Sequence, residues 1–238
     1  VAPVIVNCCN FPHADPCLLS LDEVRTLFHE FGHGLHGLLS NVRYESLSGT
    51  EVKQDFVELP SQIMEHWAIE PDVLRSYARH FETDEVIPEE LIARLRAASK
   101  FNTGFATTEY LAACFLDMAW HGENATDIED VPAFEEAIAH QIGNTTVVDP
   151  RYKSSYFQHI FSDDHYSAGY YVYIWAEVLD ADAFEAFKEN GLFDPATAKA
   201  FRQNILERGG SADPMALYRA FRGRDPEVQA LLRNRGLN

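Results

Sequence analysis

The sequence is poor in cysteine and in positive charge, and it has no long apolar run. Its 238 residues include four cysteines, Cys8, Cys9, Cys17 and Cys114, with no Cys-x-x-Cys pair. Cys8 and Cys9 are neighbours, and neighbours on a strand point to opposite faces. This excludes a disulfide framework or a cysteine zinc site, and reduced thiols in a cytoplasmic protein are the simplest account. Lys and Arg number 19 against 37 Asp and Glu, a formal charge of −18. So acidic a chain argues against nucleic acid or an anionic membrane as partner, since both are polyanions. It is compatible with cationic peptides, with a salty habitat, or with solubility alone. No apolar run approaches the length of a membrane span. Internal repeats and low-complexity tracts are absent, and no convincing period-two alternation appears after residue 10. Val1-Ala2-Pro3-Val4-Ile5-Val6 lacks the basic n-region of a signal peptide. It also lacks an initiator Met, so the chain reads as a fragment or a processed piece.

What is present suffices for a core. Apolar residues make up 46% of the chain and charged residues 24%, so disorder is not indicated. The length fits one large domain or two small ones. Val4 to Asn10, a β-branched run after Pro3, reads as a short strand, and the Pro-rich stretch to Pro16 as a loop. From Leu21 to about Ser40 the apolar positions Val24, Leu27, Phe28, Phe31, Leu35, Leu38 and Leu39 recur at helical spacing, with Ser20 or Asp22 as cap. Gly32, Gly34 and Gly37 weaken that helix, which suggests close packing against other backbone or a functional need. A second helix is expected from about Val52 to Ile69, kinked or started late by Pro60 and stopped by Pro71. Residues 88–121 read as helical with a possible break near Gly104. Shorter helices are expected around 131–141, 167–189, 195–208 and 213–221. The chain is therefore expected to be mainly α-helical, with a small β region at its N-terminus.

One motif carries chemistry. His29-Glu30-Phe31-Gly32-His33 places two histidines four residues apart, one turn above each other on one helical face. Two imidazoles so placed can meet one Zn²⁺, and Glu30 beside them can take a proton from a metal-activated water. A five-residue pattern also arises by chance, as two ordinary histidines on a helix. A tetrahedral catalytic zinc needs a third protein ligand and an open place. His36 lies on nearly the same face, but seven residues climb about 10.5 Å, too far for three rings to converge on one ion. The third ligand should come from another element. Glu58 is the best candidate, because it stands among Phe56, Val57 and Leu59 after a loop long enough for an antiparallel return.

Leu27-Phe28-His29-Glu30-Phe31-Gly32-His33-Gly34-Leu35-His36 with Asp55-Phe56-Val57-Glu58 and Pro60-Ser61-Gln62 closely resembles the thimet oligopeptidase (M3) family of zinc peptidases. Ser46-Leu47-Ser48-Gly49-Thr50 looks most like its peptidyl-dipeptidase (dipeptidyl carboxypeptidase) branch. The resemblance continues through Asn102-Thr103-Gly104-Phe105-Ala106-Thr107 and Tyr166-Ser167-Ala168-Gly169-Tyr170-Tyr171-Val172-Tyr173-Ile174-Trp175 to Arg235-Gly236-Leu237-Asn238. It implies a zincin-like, neurolysin-like helical catalytic domain over 1–238, one Zn²⁺ held by His29, His33 and Glu58, and Glu30 as catalytic carboxylate. By motif position, Tyr166, Tyr170 and Tyr173 match the family's substrate-facing tyrosines. Tyr170 and Tyr173, three apart on one helical face, could address one oxyanion. Core packing is the alternative, and the one retained for Tyr171. His159 matches the histidine ahead of this helix, although His165 could take its role. Glu65 and Asp55 are candidates to support the histidines, each standing beside the reading of an ordinary surface charge. Val4 to Phe11 resembles the family's strand beside the cleft, an edge on which an extended peptide could pair. The family's proteins are much longer, so a missing N-terminal half of the same protein is an expected partner.

The implied reaction is hydrolysis of short peptides. Glu30 accepts the water proton and delivers it to the leaving amine, and Tyr170 or Tyr173, with His159, donates hydrogen bonds to the oxyanion. Release of C-terminal dipeptides, internal cleavage in the manner of an oligopeptidase A, and a zinc-binding accessory domain without catalysis are the three outcomes that stay open.

Overall fold

The computed structural model describes residues 4–122, 127–144 and 147–237. Readings that touch Val1, Ala2, Pro3 and Asn238 lie outside the described residues. Among these residues eleven α-helices follow one another: α1 Leu21–Leu38, α2 Leu59–Ala68, α3 Pro71–Tyr77, α4 Glu89–Ala98, α5 Thr103–Trp120, α6 Val131–Gln141, α7 Gln158–Phe161, α8 Val172–Asn190, α9 Pro195–Phe201, α10 Pro214–Arg222 and α11 Gln229–Arg235. The chain is mainly helical, as its periodicity predicts. No helix among the described residues is long and apolar enough to cross a membrane.

The strand expected at 4–10 does not form. No backbone hydrogen bond joins this segment to another among the described residues, and the one isolated β-bridge pairs Arg79 with Val86. Ile5 instead lies over Gly37, where an added Cβ would come within 2.5 Å of its Cδ1. β-Branched residues fit a pleated surface but do not supply the second strand that makes one.

Helix ends follow local rules more faithfully. Ser20 caps α1 with a full capping box: its Oγ accepts from the Glu23 N–H at 3.2 Å, and the Glu23 carboxylate accepts from the Ser20 N–H at 2.7 Å. Pro60 delays the next helix, leaving a 3₁₀ turn at Gln54–Phe56 before α2. As expected, α2 ends ahead of Pro71, at Ala68, and Glu70 before the proline is extended. Pro71 then opens α3, where its fixed φ is already helical. The break expected near Gly104 falls just before it, between Ala98 and Thr103, with Asn102 left-handed at φ +56°. The helix expected from 167 begins only at Val172, because Ala168 is left-handed at φ +55°. The stretch after α9 runs into a π-helical turn at Arg202–Leu206.

The chain forms two compact units, one made of the chain up to Ala98 and from Ala176 onward, the other of Ser99–Trp175. The core of the first gathers Phe56, Leu59 and Ile63 around α2 with Leu179 and Phe184 of α8, Ile205 and Tyr218. His66 ties α2 to α8 through Asp180, 2.6 Å away. The core of the second is built from Tyr110, Ala113 and Cys114 of α5 with Phe157, Ile160 and Tyr170.

In the first unit α1 lies against the start of α2, and Gly32 sets how closely. A Cβ there would stand 2.3 Å from the Pro60 carbonyl oxygen and 2.6 Å from Ser61 Cα. Gly37 is likewise closed in, by Ile5 and by Gly49, whereas Gly34 has room for a Cβ at ordinary contact distance. The glycines expected to mark close packing do so at two of three positions.

Candidate metal centre

His29 and His33 project from one face of α1 with ring centroids 5.0 Å apart. Glu58 is the residue that caps α2, and it is 3% exposed. The close approach at Gly32 brings its carboxylate over the imidazoles, with Oε2 3.3 Å from His29 Nε2 and 3.2 Å from His33 Nε2. The Ser61 hydroxyl lies 2.9 Å from the same Oε2 and from the Glu58 carbonyl oxygen, fixing the carboxylate on its own turn. Of the described His, Cys, Asp and Glu residues, these three form the group whose ligand atoms all lie within 4.8 Å of one another. Donor atoms around a tetrahedral zinc with bonds of about 2.0–2.1 Å stand roughly 3.3–3.4 Å apart. The two Glu58 distances match that edge length, so the donor set fits a small divalent cation. His36 is fully buried and contributes no atom to the group.

The electrostatics agree. Burial by itself would push the His29 imidazole down, but the Glu58 and Glu65 carboxylates beside it raise it to about 10. Burial would likewise raise Glu58, but hydrogen bonds from His29 and His33 hold its carboxyl well below the usual range. Glu65 accepts from His29 Nδ1 at 2.8 Å and is itself held by Arg25 at 2.9 Å. A carboxylate on the far nitrogen fixes the ring's tautomer and orientation, leaving Nε2 free to bind. Of the two supporting acids the sequence left open, Glu65 reaches the histidine and Asp55 does not.

Glu30 is half-buried and lines a cleft of about 440 Å³ together with His33, Gly34, Gly37, the segment 4–8 and the loop 48–50. Desolvation and the nearby Glu30 carboxylate push the Cys9 thiol up from its ordinary value. Glu30, His33 and the segment 4–8, which joins no strand, therefore face one cavity.

The remaining candidates gather in the second unit. The His159 ring lies 5.9 Å from Tyr166, 5.5 Å from Tyr170 and 6.4 Å from Tyr173, centroid to centroid. Tyr166 and Tyr173 stack at 5.6 Å and are half-buried. Tyr170 differs from the expectation. It precedes α8 rather than sharing a helical face with Tyr173, and it is 2% exposed, packed edge-on to Phe157. Burial pushes its phenol well up. His165 is exposed, and His159 is the histidine of the cluster. Tyr171 points outward at 43% exposed, so the core role assigned to it does not hold.

Residues 1–237 match peptidase family M3. The chain belongs to that family. Among M3 relatives, the dipeptidyl carboxypeptidase of Escherichia coli (strain K12) is 47% identical over 99% of this chain and 35% of its own length. Oligopeptidase A of the same organism is 41% identical with the same coverage. The thimet-like oligopeptidase of Dictyostelium discoideum is 32% identical, again over 99% of this chain and 35% of its own. The chain thus spans about a third of the length of these M3 peptidases.

Two residues whose contacts bear on these groups were not singled out by the sequence. Ser61 appeared only as a letter in a motif, yet it holds Glu58. Asp117 was passed over, although it is the single charged residue from Tyr110 to Trp120 and is fully buried. A lone carboxylate inside an apolar helix is a visible signal, because it must find donors.

Proposed function

We propose that this chain carries the metal centre of a zinc-dependent M3 peptidase that hydrolyses short peptides and releases C-terminal dipeptides. The observation that carries this reading is Glu58 Oε2 at tetrahedral-edge distance from both His29 Nε2 and His33 Nε2, with Glu30 on the adjoining cleft. A zinc ion held by His29, His33 and Glu58 would supply Lewis acidity toward the scissile carbonyl and the attacking water. Glu30 takes the proton of the attacking water and passes it to the leaving amine. Glu65 and Ser61 keep His29 and Glu58 in place. The segment at 4–8, which makes no backbone hydrogen bond to another segment among the described residues, offers backbone groups on which a peptide can lie. Tyr166 and Tyr173, with His159, are assigned to hydrogen-bond the developing oxyanion, on the strength of the family motif. Tyr170, buried, is assigned to pack them. A cytoplasmic setting belongs to the same reading, supported by the exposed free thiols of Cys8 and Cys17.

The dipeptidase mode is favoured by the higher identity to a dipeptidyl carboxypeptidase than to an oligopeptidase A, 47% against 41%. A second reading is a zinc-binding part that needs the rest of a longer protein to turn over, favoured by coverage of only 35% of the relatives. A quenched fluorescent peptide, with and without chelator and beside metal analysis, tests both. The enzyme reading expects chelator-sensitive cleavage that stops when the peptide C-terminus is amidated. Cleavage of the amidated peptide sinks the dipeptidase mode. One bound zinc without cleavage moves the assignment to the incomplete centre.

A further inference from the structure

The turn that carries the tyrosines is anchored from α5. Asp117 Oδ2 accepts from the Tyr170 N–H at 2.8 Å, and its Oδ1 accepts from the Ala168 N–H at 2.9 Å. The same Oδ1 lies 2.8 Å from His121 Nδ1, one helical turn along. Tyr110, two turns before Asp117 on the same side of α5, donates its hydroxyl to the Tyr170 carbonyl at 2.5 Å and accepts from the Ile174 N–H at 3.3 Å. The segment so held is irregular. Gly169 N–H closes a turn onto the Tyr166 carbonyl at 2.9 Å, with alanine at position 168 in the left-handed region. A Cβ disfavours that conformation, which persists only where the surroundings impose it. Both oxygens of this fully buried carboxylate accept from backbone N–H groups of this one turn, and His121 is the one side chain that shares them.

We infer that Asp117 is a positioning residue for the tyrosine turn. It fixes Ala168 in its left-handed conformation, so that Tyr166 on one side and Tyr173 on the other keep their stacked geometry against His159. This rests on the proposed function in one respect: the catalytic consequence requires that those side chains act on the substrate.

The experiment uses Asp117→Asn on the metal-loaded chain. The amide keeps the shape but offers one acceptor fewer, so either the Tyr170 N–H loses its partner or the Ala168 N–H is left with His121 Nδ1 alone, 3.2 Å away. Hydrogen exchange should show lost protection at Ala168 and Tyr170 while the rest of α5 stays protected. On a fluorogenic peptide kcat should fall about tenfold to a hundredfold with KM within about twofold, as for a misplaced catalytic group. Added to Tyr173→Phe, it should cost no more than about twofold further, because both act through the same turn. Ala168→Gly, which removes the left-handed penalty, should restore part of kcat to Asp117→Asn. Unchanged exchange at the turn, protection lost across all of α5, or costs that multiply with Tyr173→Phe would overturn the inference. If Tyr166→Phe, Tyr173→Phe and His159→Gln each leave kcat unchanged, the catalytic role of the cluster fails first. That result is recognisable because exchange at the turn still responds to Asp117→Asn, and it overturns the catalytic half of the inference with it.

Discussion

The proposed metal centre depends on a glycine that binds nothing. Gly32→Ala places a Cβ 2.3 Å from the Pro60 carbonyl oxygen, 2.6 Å from Ser61 Cα and 2.9 Å from the Pro60 carbonyl carbon. All three are backbone atoms, so no rotamer change makes room. Ordinary contact begins at 3.4 Å, so α1 and α2 must part by 3.4 − 2.3, or 1.1 Å. Glu58 sits two residues before Pro60 and moves with it. A matching shift would open its 3.2 and 3.3 Å separations from the histidines to beyond 4 Å, when ligand distances tolerate only about ±0.2 Å. Overpacking of this kind costs about 1–3 kcal/mol. Glycine to alanine within a helix gains at most about 1 kcal/mol in return. Gly34→Ala is the control, because its Cβ meets Ile5 and Phe31 only at 3.8 and 3.9 Å. Zinc affinity is read by competition with a chelating dye, and stability by urea unfolding of the metal-free chain. Gly32→Ala should lose at least tenfold in zinc affinity and some stability, while Gly34→Ala loses neither. Equal behaviour of the two variants would refute the reasoning, since they differ only in what the added methyl meets.

Other perturbations read other parts of the centre. Glu30→Gln should keep one zinc by metal analysis and lose about 10²–10⁴-fold in kcat, the range of general acid–base catalysis; retained turnover on metal-verified protein would remove Glu30 from its role. Glu65→Gln should weaken zinc binding about tenfold to a hundredfold, as outer-shell changes do, and an unchanged dye-competition curve would show that the 2.8 Å contact with His29 does not matter. Asp180 tests the acid limb of stability: burial raises its carboxyl from 3.8 to about 6, against the pull of His66. A raised folded-state value means that its stabilising contribution is full below pH 3.8 and is lost as pH climbs through about 6. Asp180→Asn keeps an acceptor for His66 and should flatten unfolding free energy against pH across that window. An identical slope in variant and parent would show that Asp180 is not the group responsible.

The sequence alone determined the helices and the pair of histidines. Capping, proline placement and the four-residue spacing of His29 and His33 act within a turn or two, and local chemistry is written locally. Glu58 was legible because a carboxylate among Phe56, Val57 and Leu59 must find partners, and Glu65 because it lies seven residues farther along the same helix. Tertiary structure alone decided how these met. It put the carbonyl of Pro60 against Gly32, chose Glu65 over Asp55, and set Ser61 on Glu58. It also denied 4–10 a strand, since a ladder needs a second segment that no local preference can supply. It buried Tyr170 and turned Tyr171 outward by shifting the helix start to Val172. The cause was a left-handed alanine held by a carboxylate 51 residues away. Periodicity describes an element, whereas the donors that override it come from elsewhere in the chain.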